Sequence, residues 1–142
     1  NLGGPIASIY ANVHEYAPPP HAIDAVSASL KLVSGATGSL STVRGVPDHF
    51  RIHVAGTAGW AEVRDFGTLQ VSLLDGTQKT QNFGRAVAIA HLLERFADAV
   101  RGEHPFPVSK SSMLATVAAF EATIVSIEHG TPIDVIQPGY EQ

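Results

Sequence analysis

The spacing of apolar residues changes once along this chain, near Arg85. Before that point they recur at every second position, the pattern of a strand that buries one face. Ile9, Ala11 and Val13 alternate with Tyr10, Asn12 and His14, and Val26, Ala28, Leu30 and Leu32 alternate with Ser27, Ser29 and Lys31. After it, Ile89, Leu92, Leu93, Phe96 and Val100 fall on one helical stripe between Arg85 and Arg101. A second helix runs from an N-cap at Ser109 to a C-cap at Gly130, with Leu114, Val117, Ala118, Ile124 and Val125 at helical spacing. Strands first and helices afterwards predict an α+β fold: an open, mainly antiparallel sheet with two main helices packed on one face.

The turns support antiparallel pairing, because a parallel crossover needs a dozen or more residues. In FRIHVAGTAGWAEVRD, residues 50–65, alternating residues stand on both sides of Gly56-Thr57-Ala58-Gly59. A phosphate-cradling loop needs a helix directly behind its glycines, and here a second strand follows, so the segment reads as a hairpin. Gly35-Ala36-Thr37-Gly38 and Asp75-Gly76 read as further turns, Pro18-Pro19-Pro20 as a break, and His104-Pro105-Phe106-Pro107 as an extended linker. Thr131 to Ile136 is a candidate last strand.

A length of 142 residues predicts a single domain over 1–142, and 44% hydrophobic content predicts a packed core. The net charge is −4 and the nine basic residues are not clustered, which argues against a nucleic-acid partner. There is no cysteine, hence no disulfide, thiol nucleophile or cysteine metal site. Without a leader pattern or an apolar run of about 18 residues, the expectation is a soluble, cytoplasmic protein with no membrane partner.

Candidate chemistry is sparse. His21 and Asp24 form a His-x-x-Asp pair that reads more simply as a loop entering a strand. His49 and His53 straddle a strand start at a spacing that does not build a metal site, so no metal is expected. The Ser and Thr groups around residues 37–42 read as a polar strand face. Glu121 lies in line with Leu114, Val117, Ala118 and Val125, where a carboxylate needs hydrogen-bond partners. It is read as a structural anchor in preference to a catalytic acid.

Leu2-Gly3-Gly4-Pro5-Ile6, Asp24-Ala25-Val26, Ser34-Gly35-Ala36-Thr37-Gly38 and Arg51-Ile52-His53-Val54-Ala55-Gly56-Thr57-Ala58-Gly59 occur in order. Phe96-Ala97-Asp98-Ala99-Val100-Arg101-Gly102, Pro105-Phe106-Pro107-Val108-Ser109 and Phe120-Glu121-Ala122 follow, with Ser126 and Gly130. Together they resemble the C-terminal domain of the glucose–fructose oxidoreductase, inositol dehydrogenase and MocA family, over nearly the whole chain.

The resemblance implies an NAD(P)-dependent oxidoreductase of a sugar, inositol or related polyol. In such enzymes the dinucleotide fingerprint, the lysine of the Glu-Lys-Pro motif and the catalytic histidine belong to the part before this segment. His21-Ala22-Ile23-Asp24 falls after the Leu-Gly-Gly-Pro segment instead of before it, and Ser109-Lys110-Ser111-Ser112 lacks an expected acidic residue. No catalytic or cofactor-binding residue is therefore carried over. NAD or NADP is expected in a full-length parent with an upstream Rossmann domain, and this chain alone is expected to be inactive. The resemblance also implies homo-oligomerisation through the open sheet, whose outer face offers Tyr10, His14, Arg51 and His53 as interface residues. Two alternatives stay open: a stand-alone binding or oligomerisation module, and an unrelated small α+β enzyme.

Overall fold

The change of period falls between the last long strand and the first helix. In chain order the elements are β1 (Ile6–His14), β2 (Ala25–Leu32), β3 (Thr37–Val43), β4 (Arg51–Gly56), β5 (Gly59–Arg64), β6 (Thr68–Leu73), β7 (Gln78–Asn82), α1 (Arg85–Arg101), α2 (Lys110–His129) and β8 (Ile133–Asp134). This computed structural model describes residues 3–15, 25–44 and 46–137, with residues 85–88 by their backbone alone. The proline break and the His21/Asp24 pair lie outside the described residues. The class is α+β with open antiparallel pairing, as expected, though in two sheets where the sequence reading had one. The strands form two four-stranded sheets, and the chain divides into two units, Asn1–Gly45 with Val108–Gln142, and Val46–Pro107.

In the first unit the strand order is β3-β2-β1-β8, and α2 packs on β1 and β8. The core is Ile9, Ala11, Ala28, Ala119, Ala122 and Val135, with Ile6, Leu30, Ala118, Ile127 and Ile133 partly buried around it. Alanines on both the strands and the helix bring the two backbones close. Ser109 caps α2 by accepting a hydrogen bond from the Ser112 N–H at 3.1 Å. Gly130 ends it in the left-handed conformation, φ 64°.

The helix phase differs from the sequence reading. The buried side of α2 is Ala119, Ala122 and Ser126, while Leu114, Val117, Ile124 and Val125 are at least 36% exposed. Glu121 is exposed as well and supplies no buried anchor in this unit. Small residues make the close contact here, and the larger ones mark the other side of the helix.

In the second unit the order is β4-β5-β6-β7, each strand paired to the next by a short turn. Gly56 pairs with Gly59, so Thr57-Ala58 is the two-residue loop of the predicted hairpin. Gly59 has φ 143°, and a Cβ there would lie 2.1 Å from the Ser72 carbonyl oxygen, so only glycine fits. Asp65 and Phe66 have φ of 50° and 58°, and the Gly67 N–H donates to the Arg64 carbonyl at 3.0 Å. That is the geometry of a type I′ turn, with the Phe66 ring stacked on Phe50 at a 4.0 Å centroid distance. α1 ends at Gly102, φ 75°, and its apolar stripe of Ile89, Leu92, Leu93, Phe96 and Val100 is exposed.

Candidate interaction face

The hairpin loop fixes the register of everything on β4 and β5. Counting outward from Gly56 and Gly59, His53 faces Glu62 and Arg51 faces Arg64. Residues two apart on a strand share a face, so Arg51, His53, Trp60, Glu62 and Arg64 stand together, with Gln70 and Ser72 continuing the face on β6.

Glu62 is the centre of this group. Arg51 Nη2 lies 2.5 Å from its Oε2, Arg64 Nε donates to its Oε1, and His53 Nδ1 is 3.3 Å from Oε2. The Glu62 side chain is 1% exposed, against 51% for Arg51, 50% for Arg64 and 41% for His53. Burial pushes the Glu62 carboxyl up. The hydrogen bonds from Arg64 and Arg51, with their charges, outweigh it and hold the group below its ordinary value. A carboxylate locked between two guanidiniums is a weak base, so this arrangement favours recognition over proton transfer. His53 also stacks on Trp60, ring centroids 5.6 Å apart.

The four residues read from sequence as interface fall in both units. Arg51 and His53 belong to the Glu62 group, whereas Tyr10 and His14 share one face of β1 in the first sheet. Glu62, Arg64 and Trp60 were missed as members, although all lie in the stretch that marked the hairpin. The signal was present: a two-residue loop dictates which side chains meet.

The described residues offer little other chemistry. No group of three or more His, Asp or Glu side chains is placed to hold a metal ion among them. The groove between the start of β1 and the first half of α2 is lined by Gly4, Pro5, Ile6, Ala115, Ser112 and Thr116, among others. Its hydroxyls are engaged locally: Thr116 donates to the Ser112 carbonyl at 2.9 Å, and Ser112 meets Ser109 Oγ at 2.9 Å. A catalytic pocket needs polar groups that converge on open space, and these do not.

Among the described residues no glycine-rich turn runs from a strand into a helix N-terminus, the arrangement by which a Rossmann fold holds a pyrophosphate. The Gly56–Gly59 turn runs into β5, and α1 and α2 follow their N-caps Gly84 and Ser109 without a glycine-rich loop. α2 meets the length and composition needed to cross a membrane, but its small-residue side lies on β1.

Residues 1–62 match the GFO/IDH/MocA C-terminal domain. The resemblance read from the sequence is borne out, and the likeness of fold extends over the rest of the chain. An oxidoreductase from Agrobacterium radiobacter, solved with NAD+, L-tartaric acid and magnesium, is 18% identical with a TM-score of 0.77. It is matched over 94% of this chain and 44% of its own. Levoglucosan dehydrogenase in complex with NADH and levoglucosan is 16% identical with a TM-score of 0.79, over 94% of this chain and 46% of that one. A structure from Desulfitobacterium hafniense is 18% identical with a TM-score of 0.76, over 92% and 42%. At this identity the structural likeness speaks for the fold. No curated protein matches the sequence. The chain spans less than half the length of the structures it resembles.

Proposed function

We propose that this chain is the substrate-side and assembly domain of an NAD(P)-dependent oxidoreductase acting on a sugar, inositol or related polyol. One observation carries the reading. A GFO/IDH/MocA C-terminal match at residues 1–62 coincides with a fold that covers 94% of this chain but only 46% of a levoglucosan dehydrogenase. The portion of such an enzyme outside this segment would hold the dinucleotide, and the residues here would wall the substrate pocket and join copies together. The parent is read as a soluble, cytoplasmic protein.

Titration of the 142-residue chain with NAD+, NADP+, NADH and NADPH tests the first part, followed by Trp60 fluorescence and calorimetry. The expected result is no saturable binding. Saturation in the micromolar range overturns the division of labour.

The assembly role rests on the outer faces that carry Tyr10, His14, Arg51 and His53. Tyrosine and arginine are enriched at interfaces. Light scattering on a sizing column at tens of micromolar protein should give a homo-oligomer. A monomer throughout removes the assembly role and leaves the substrate-side reading standing.

A further inference from the structure

The second sheet holds a pair that sheets ordinarily avoid. Arg51 and Arg64 are direct cross-strand partners, and like charges placed opposite one another destabilise a strand pair. Glu62 relieves only part of this, since one carboxylate stands between two guanidiniums.

We propose that Arg51 and Arg64 form a fork that binds an oxyanion, a phosphate or carboxylate group. Arg51 gives Nε and Nη2 to Glu62 Oε2, and Arg64 gives Nε to Oε1. A guanidinium carries five N–H donors in a rigid plane, so both retain donors beyond those given to Glu62. The inner bonds fix how each plane is turned, and a donor set already fixed loses less freedom when a ligand arrives.

The negative charge beneath is 1% exposed while the two guanidiniums are half-exposed. The charged groups left to solvent at this spot are the two guanidiniums and Asp65, with the Glu62 carboxylate buried between the arginines. Arg51 and Arg64 line a shallow depression with His49, Phe50 and Asp65. His53, 41% exposed beside Glu62, adds a third positive charge when protonated. Asp65 is the opposing group: it lines the same depression, and its negative charge limits the affinity. An oxyanion seated on the outer edges of the fork offsets the repulsion that Glu62 leaves. The fork does not rest on the oxidoreductase reading, but it shares Arg51 and His53 with the proposed assembly face, so an oligomer that covers that face would close it.

The test is NMR of the ¹⁵N-labelled 142-residue chain, following backbone amides and arginine Nε signals. Sodium phosphate is titrated first and sodium citrate second, each against sodium chloride at matched ionic strength. Saturable shifts at Arg51, Arg64 and Trp60 are expected with phosphate or citrate and not with chloride; the tighter of the two names the group recognised. Arg64→Gln should raise Kd at least fivefold. Arg64→Lys, which keeps the charge and loses the planar fork, should raise it as well. Asp65→Asn should lower Kd, and asparagine accepts the positive φ at that turn. Shifts that follow ionic strength alone overturn the proposal. So do saturable shifts whose Kd is unchanged in both Arg64 variants.

Discussion

The hydroxyl of Ser126, on α2, accepts a hydrogen bond from the backbone N–H of Ala11, on β1, at 3.0 Å. β8 pairs with β1 only at Ser8 and Ile9, so among the described residues no strand lies beside that edge of β1 beyond Ile9. Ser126 takes the place of the missing strand. The same hydroxyl donates to the Thr131 carbonyl at 2.6 Å, and the residue is fully buried. Ser126→Ala should leave the buried Ala11 N–H without a partner, costing about 1–3 kcal/mol. Chemical denaturation checks this, and an unchanged midpoint would mean that water reaches the Ala11 N–H.

Glu62 gives the fold a dependence on acid. Its carboxyl lies below its ordinary value of 4.5, because the bonds from Arg64 and Arg51 outweigh its burial. A depressed folded value means that the stabilisation is complete above the unfolded value and is lost as pH falls through the folded one. Asp75, lowered by the Thr77 N–H, acts in the same direction. Unfolding midpoints from pH 7 down to about 2.5 should show wild type and Glu62→Gln converging toward the acid end. Parallel curves would remove Glu62 from the account.

Gly59 and Gly56 flank the same two-residue loop and should respond differently. At Gly59 a Cβ meets the Ser72 carbonyl and φ is 143°, whereas nothing lies within 4 Å of a Cβ at Gly56. Gly59→Ala should destabilise by at least about 2 kcal/mol, and Gly56→Ala should stay within roughly 0.5 kcal/mol of wild type. Equal losses at both sites would place the strain in the loop as a whole.

Phe66 sets two effects against each other. Its φ of 58° is one that a bulky residue rarely adopts, and its ring stacks on Phe50. The stack is worth about 0.5–1.5 kcal/mol and the left-handed backbone costs about 1–2 kcal/mol. Phe66→Gly alone should therefore change stability little, and should stabilise by about 1 kcal/mol once Phe50→Leu has removed the stack. A double-mutant cycle measures this. Additive effects would show that the rings do not compensate the turn.

Most of the architecture was legible because apolar alternation and glycine turns are local signals. The bounds of α1 and the hairpin at Gly56–Gly59 followed from them. β7 was not legible: Gln78-Lys79-Thr80-Gln81-Asn82 has no apolar residue and becomes a strand by pairing with β6. The Asp65-Phe66 turn was hidden because phenylalanine is not a residue that a positive φ calls for. Glu121 was misplaced because Leu114, Val117 and Val125 drew the stripe, whereas α2 meets β1 through alanines and one serine. Of the site, Arg51 and His53 were legible as face residues. Glu62 and Arg64 required the register, which the loop length already contained.

The first unit is assembled from both ends of the described chain, with residues 46–107 between its two parts. β8 pairs with β1 across more than a hundred residues of sequence. During synthesis, β1 through β3 leave the ribosome long before α2 exists to cover Ala11 and Ala28, so their apolar side waits uncovered. Residues 46–107 are contiguous, and their sheet closes through neighbouring hairpins. That order places the slow, long-range step after the local ones, and makes residues 108–137 the stretch whose late arrival or loss leaves the first sheet open to the wrong partner.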